Sequence, residues 1–251
     1  MRYAVLSDIH SNLEALTAVL EALADERIDR YLCLGDLIGY GADPRPCLER
    51  LQGLNLVVVG GNHDLACLGK LDLHFFNDAA RAAVLWTRDR LNFADLDYLR
   101  RLPLVATEEP FTLVHGTLDH PQRFDYLVDF AQALDTLRIC RTLFCLIGHT
   151  HLPLLMEYDR TERRFTRMLT TAKELADVEF QSEPQRFRYL LNPGSVGQPR
   201  DGDPRASCAV IDTERRRLAI RRVRYDVAAA QRKIQQAGLP AFLADRLAVG
   251  R

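Results

Sequence analysis

Five segments of the chain end in residues that can hold metal ions. Asp8 and His10 stand two apart after the apolar run Ala4-Val5-Leu6, so that in an extended chain both side chains point to one side. Gly35-Asp36 follows a second apolar run, and Gly60-Gly61-Asn62-His63-Asp64 follows a third. His115-Gly116 and Gly148-His149-Thr150-His151 close two more, the last again with histidines at alternate positions. Taken singly, each has an ordinary explanation as a turn residue or helix cap. Taken together they do not, because five of the seven histidines, at 10, 63, 115, 149 and 151, fall at such ends beside glycine or a carboxylate. Imidazole nitrogen, carboxylate oxygen and one amide oxygen suit Mn, Fe, Co, Ni or Zn, whereas an all-oxygen shell suits Mg or Ca. Asp8, His10, Asp36, Asn62, His115, His149 and His151 are too many donors for one four-coordinate zinc. They suit two divalent ions about 3.5 to 4 Å apart that share a carboxylate, with Asp36 as the bridge. Such a pair lowers the pKa of a shared water, holds two phosphate oxygens and offsets the charge of in-line attack. The expected chemistry is hydrolysis of a phosphate ester by metal-bound hydroxide.

The elements that must position these residues follow from the alternation of short apolar runs with longer amphipathic ones, the signature of an α/β fold. The pattern predicts strands at 3–7, 31–35 and 56–60, with helices at 11–25 and 45–51 between them and further helices at 77–90 and 93–101. Beyond Pro103 the texture becomes richer in strands, at 104–107, 111–115, 143–148, 154–158, 165–170, 188–191, 206–212 and 217–224, with one helix at 127–138. Many of these later runs alternate, as antiparallel edges do, so two sheets are expected. Ligands of open α/β sheets bind beyond the carboxyl ends of the strands, which is where the donor clusters stand. The polar stretch 171–184 has no clear period and reads as a surface excursion or lid, and 226–251 as a C-terminal helical tail that packs on the body or serves a partner.

Composition narrows the class. A chain of 251 residues can bury one full core, and 1–251 reads as a single domain with its core at about 1–225. The net charge of -1 offers no field for nucleic acid or an anionic membrane, so a polyanion has to be bound locally and a nuclease is the weaker reading. Met1-Arg2-Tyr3 runs straight into strand-like sequence without a secretory h-region, and no run approaches the roughly 20 apolar residues that span a bilayer. A cytoplasmic protein is expected. The six cysteines form no CxxC pair and read as reduced structural residues.

The blocks Asp8-Ile9-His10, Gly35-Asp36, Gly61-Asn62-His63-Asp64, His115-Gly116 and Gly148-His149-Thr150-His151, in this order over about 1–225, resemble the calcineurin-like metallophosphoesterase superfamily. That resemblance implies a four-layer αββα sandwich of two mixed β-sheets flanked by helices. It implies that Asp8, His10 and His151 hold one ion, Asn62, His115 and His149 the other, and that Asp36 bridges both. By the same resemblance His63 gives a proton to the leaving oxygen, with Asp64 either orienting it or starting a helix. Asp8-Ile9-His10-Ser11-Asn12 and the run from Asn192 to Arg200 are similar to small bacterial phosphodiesterases and dinucleoside-polyphosphate hydrolases. Asn12 and Arg200 would then touch substrate phosphate, the alternatives being a helix cap and a surface position. Gly194 and Gly197 would shape a tight turn.

Related protein Ser/Thr phosphatases carry an Asp-Arg pair where this chain has Gly39-Tyr40, which argues against protein phosphatase activity. Tyr40 there is either a stacking surface for a nucleotide base or ordinary loop packing, and His74 and His120 read as surface residues. The expected substrate is therefore a small phosphodiester or a nucleotide phosphoanhydride. Phosphomonoester hydrolysis at the same site and a non-catalytic scaffold are the rivals, and the oligomeric state is left open.

Overall fold

Helices and strands alternate wherever an amphipathic run separates two apolar ones, and the computed structural model follows that pattern over the residues it describes, 1–171 and 173–251. In chain order come β1 (Arg2–Leu6), α1 (Leu13–Leu23), β2 (Arg30–Cys33), α2 (Pro44–Gln52), β3 (Leu56–Val58), α3 (Asn62–Cys67), α4 (Asp78–Arg88) and α5 (Phe93–Arg100). The second half holds β4 (Val105–Glu108), β5 (Phe111–Val114), α6 (Phe130–Ile139), β6 (Phe144–Leu146), β7 (Pro153–Asp159), β8 (Arg164–Leu169), β9 (Val178–Glu179), β10 (Phe187–Pro193), β11 (Ala206–Asp212) and β12 (Arg217–Val223). Helices α7 (Val227–Gln236) and α8 (Ala241–Asp245) form the tail.

Two six-stranded sheets result, in the orders β3-β2-β1-β11-β12-β9 and β4-β5-β6-β10-β7-β8. β1, β2 and β3 are parallel, with Ala4 opposite Tyr31 and Leu32 opposite Val57, because α1 and α2 return the chain over the sheet between them. β11 joins β1 antiparallel with Ala4 opposite Val210, which makes the sheet mixed. In the second sheet β5, β6 and β10 are parallel, and β7 and β8 add an antiparallel edge. The architecture is the expected α/β sandwich of two mixed sheets flanked by helices.

The two-residue period of a strand assigns each side chain to a layer. In β1, Tyr3 and Val5 face the second sheet, where they meet Phe111, Leu113, Phe144 and Tyr189. Ala4 and Leu6 face outward against Leu16 and Val19 of α1 and Leu48 of α2. On the far side Cys145 and Leu190 pack under Ala133 and Leu137 of α6. Each large apolar side chain buried this way contributes roughly 1.5–3 kcal/mol, and the inter-sheet layer is what keeps the two sheets in fixed register.

One expectation needs correction. Within 171–184, Leu175, Val178 and Phe180 are buried in the inter-sheet core and β9 pairs with β12, so the segment closes one end of the body and is no lid; Ala172 lies outside the described residues. Irregular spacing of those apolar residues hides them from a periodicity reading. Asn62, His63 and Asp64 open the six-residue helix α3, which is too short to show a helical period. The tail packs on the body. Ile234, Leu243 and Leu247 bury against Ala80 and Ala83 of α4, Lys233 pairs with Glu14 at 2.5 Å and Asp43 at 2.8 Å, and Trp86 Nε1 donates to the Ala237 carbonyl at 2.9 Å. All six cysteines are free and buried. No helix among the described residues is long and apolar enough to cross a membrane.

Asn12 caps α1. Its Oδ1 accepts from the Ala15 amide at 3.1 Å at the start of α1, and its Nδ2 donates to the Gly197 carbonyl at 2.9 Å, so both ends of the amide are engaged within the fold. Asn12→Ala is expected to lower stability by about 1–2 kcal/mol, through the lost cap and the orphaned Gly197 carbonyl. The measurement is the urea midpoint at unchanged m-value.

Candidate metal centre

The loops after β1, β2, β3, β5 and β6 meet at one end of the sandwich, tied by backbone hydrogen bonds. Asp8 N donates to the Gly35 carbonyl at 3.1 Å, His10 N to that of Asp36 at 3.0 Å, and Gly148 N to that of His115 at 2.8 Å. The loop between β10 and β11 closes over them, with Gly197 N donating to the Asp8 carbonyl at 3.0 Å. Asp8, His10, Asp36, His149 and His151 have φ between 49° and 66°. The alternate spacing therefore does not act through an extended chain, as expected from the sequence. These side chains are aimed by left-handed turns beyond the strand ends. Asp and His tolerate that conformation better than most residues, yet each instance costs about 1–3 kcal/mol, and it persists only where the surroundings impose it.

All seven expected donors converge. On one side Asp8 Oδ1 lies 3.2 Å from His151 Nε2 and 3.9 Å from His10 Nε2, and the two Nε2 atoms are 3.2 Å apart. On the other, His115 Nε2 lies 3.1 Å from Asn62 Oδ1, 3.1 Å from His149 Nδ1 and 3.3 Å from Asp36 Oδ2. Asp36 Oδ2 is also 3.6 Å from His10 Nε2, so this one oxygen faces both groups. Each carboxylate is fixed through its other oxygen. Asp36 Oδ1 accepts from the His63 amide at 2.8 Å, and Asp8 Oδ2 from the His149 amide at 3.1 Å and Ser7 Oγ at 2.6 Å.

The donor atoms fit cations and little else. Nδ1 of His10 meets the Ile38 carbonyl at 3.2 Å, and Nδ1 of His151 meets that of Gln198 at 2.6 Å, so each ring's proton is held there and its Nε2 presents a lone pair inward. Burial pushes both imidazoles below their usual value, which disfavours a second proton. Two lone pairs facing at 3.2 Å beside a buried Asp8 Oδ1 that has no hydrogen-bond partner among the described residues repel unless positive charge lies among them. Burial would push Asp36 up, but His115 beside it holds this carboxylate below its usual range. Burial would lower His115, and Asp36 outweighs it and raises this imidazole to about 9. His149 is pushed down to about 3 by burial and then by His115.

The remaining expected residues divide. His63 is buried, tilted on Tyr40 at 4.4 Å and edge-on to His10 at 4.9 Å and Phe76 at 5.2 Å between ring centroids, and its Nδ1 has no hydrogen-bond partner among the described residues. Asp64 does not reach that ring. Its oxygens accept from the amides of Leu37 at 3.0 Å, Ile38 at 3.3 Å and Gly61 at 2.9 Å, which supports the helix-start alternative. Burial and then Asp36 raise Asp64 to about 7. Tyr40 is buried between His10 and His63, so its face offers no room for a base. Arg200 is half-buried, donates to Gln198 Oε1 at 3.0 Å, and its Nε has no hydrogen-bond partner among the described residues. Gly194 has the left-handed φ of 77°, but Gly197 does not, and is needed because a Cβ would stand 1.8 Å from the Ile9 carbonyl oxygen. His74 and His120 lie at the surface as expected.

Two residues at the rim carry no signal in the sequence. Tyr126 stacks on His149 at 3.8 Å between centroids while 47% exposed. Arg246, from the tail, is lowered to about 10 by burial and then by the neighbouring Arg200. Both lie outside any recognisable block, and only folding brings them in.

Comparison with known proteins gives concordant results. The Calcineurin-like phosphoesterase superfamily domain matches residues 1–216. The chain is 38% identical over 252 residues to the uncharacterized protein MJ0912 of Methanocaldococcus jannaschii, covering 99% of this chain and 98% of that protein. It is 25% identical over 224 residues to the phosphodiesterase YfcE of Escherichia coli K12, covering 85% and 89%. The crystal structure of a metallophosphoesterase from Sphaerobacter thermophilus superposes with a TM-score of 0.84 at 38% identity, over 100% of this chain and 99% of that one.

Gly61 makes the centre sensitive to one methyl group, because a Cβ there would lie 2.1 Å from Asp36 Oδ1 and 2.4 Å from the Asp36 amide nitrogen. Gly61→Ala is expected to displace Asp36 and weaken metal binding by about 10- to 100-fold, the usual effect of disturbing groups that orient ligands. Manganese titration of the metal-stripped protein measures it.

Proposed function

Because this chain belongs to the calcineurin-like phosphoesterase superfamily, and is a metal-dependent phosphoesterase, we propose that it hydrolyses phosphodiester or nucleotide phosphoanhydride bonds with two divalent transition-metal ions. The observation that carries this reading is Asp36 Oδ2, which stands 3.6 Å from His10 Nε2 and 3.3 Å from His115 Nε2 and so serves two groups of donors at once. Asp8, His10 and His151 would hold one ion, Asn62, His115 and His149 the other, and Asp36 both. Manganese, iron, cobalt, nickel and zinc all suit this donor set. When bound, such a pair supplies Lewis acidity that activates water near neutral pH and neutralises charge on the phosphate.

The chain's own groups do the rest. Arg200, whose Nε has no hydrogen-bond partner among the described residues, offers a forked donor to a phosphate oxygen at the rim. His63 faces the cluster and would pass a proton to the leaving oxygen. Burial lowers it to about 4, and an anionic phosphate held before the ring acts in the opposite sense, favouring the protonated form at the moment it is needed. Diesters are favoured over monoesters by the identity with a phosphodiesterase. Packing of the tail against α4 and Tyr40 supports treating 1–251 as one catalytic domain, and six free buried cysteines support a reducing compartment such as the cytoplasm.

Asp36→Ala and His115→Ala are expected to lose metal and turnover of bis(p-nitrophenyl) phosphate together, by metal analysis and assay with manganese supplied. Full turnover in either variant excludes the proposed centre. His63→Ala is expected to slow esters with poor leaving groups by about 10²-fold or more while sparing p-nitrophenolate, the mark of a lost general acid. Equal slowing of both would remove that role.

A further inference from the structure

A cleft of about 510 Å³ opens beside the centre, with Asn62 in its wall. Its other lining residues include Phe75, Phe76, Phe124, Asp72 and Gln122. It is continuous with the donor cluster in a specific way. Phe76 stands edge-on to His63 at 5.2 Å and Phe124 edge-on to His115 at 5.9 Å, so two cleft walls are the rings that brace two site imidazoles. Phe124 adopts a left-handed backbone with φ of 53°, an outlier for a bulky residue that tends to persist at functional sites. Phe75, at the mouth, is 89% exposed and leaves an apolar ring in water.

The volume falls within the 300–1,000 Å³ or so of small-molecule sites and far exceeds what a phosphate group fills. Aromatic walls call for a flat apolar body, while the Gln122 amide, with both donor and acceptor, and the Asp72 carboxylate call for polar atoms on its edge. A heteroaromatic ring meets both demands; an alkyl chain or a bare sugar meets only one.

We infer that this cleft binds the base of a nucleotide whose phosphate lies at the donor cluster. The inference rests on the reading of that cluster as a phosphate-ester site and adds where substrate selectivity resides. Tyr40, enclosed by histidines, leaves this side of Asn62 to take the base.

The test is calorimetric binding of adenosine 5′-monophosphate and of ribose 5-phosphate to the manganese-loaded protein, with turnover of bis(p-nitrophenyl) phosphate measured alongside. The nucleotide is expected to bind at least about tenfold more tightly than the sugar phosphate. Phe75→Ala removes only an exposed ring, and is expected to weaken the nucleotide about fivefold or more, as loss of a base-stacking aromatic does, with ribose 5-phosphate unchanged. Gln122→Ala is expected to weaken the nucleotide alone. Equal affinity for the two ligands, or an advantage that survives both substitutions, overturns the base subsite while sugar-phosphate binding and diester turnover leave the centre standing. Failure of both ligands to bind, with no turnover, overturns subsite and centre together.

Discussion

Asp8 and Asp36 are 0% and 1% exposed and share their burial with the imidazoles of His10, His115, His149 and His151. An ionised carboxylate without compensation in such a place costs several kcal/mol, so positive charge among these acceptors would stabilise this end of the molecule. Much of the local construction is arranged around these acceptors. The second oxygen of each carboxylate is held by a backbone amide, histidine Nδ1 atoms are held by carbonyls of Leu34, Ile38 and Gln198, and glycine at 61 lets the third-strand loop touch Asp36.

The centre is also a joint between the two halves of the sandwich. Asp8, His10, Asp36 and Asn62 follow strands of the first sheet, and His115, His149 and His151 follow strands of the second. Donors from the two sheets approach to 3.2 Å between His10 and His151 and 3.3 Å between Asp36 and His115. Metal geometry of this kind tolerates displacements well under an ångström, so the packing of Tyr3, Phe111, Phe144 and Tyr189 between the sheets serves the chemistry as directly as the donors do. The tail joins the same system through Tyr40, which shares an apolar cluster with Ile234 and Leu243 and packs against His63.

Residues whose roles were legible beforehand were those where type and neighbours agree: a histidine after an apolar run, an Asp after Gly, an Asn between Gly and His. Where one residue type serves two purposes, sequence left both open, and the contacts show the structural one. Asn12 became a helix cap, Asp64 a ligand of backbone amides, and Tyr40 a buried brace. Tyr126 and Arg246 had no pattern to betray them, because neither sits in an ordered block and both reach the rim only through loop and tail packing.

From the chain alone came most element types, the division into a parallel first half and a strand-rich second half, and the seven candidate donors, since these depend on local periodicity and on side-chain chemistry that neighbours do not alter. Tertiary structure alone decided how the donors are aimed, through left-handed turns that no two-residue period encodes, and which oxygen of Asp36 faces both groups. It also decided that 171–184 seals the core and that an aromatic cleft opens beside Asn62. Such features are distances between residues far apart in the chain, and distances of that kind are set by how two sheets pack, which linear spacing does not contain.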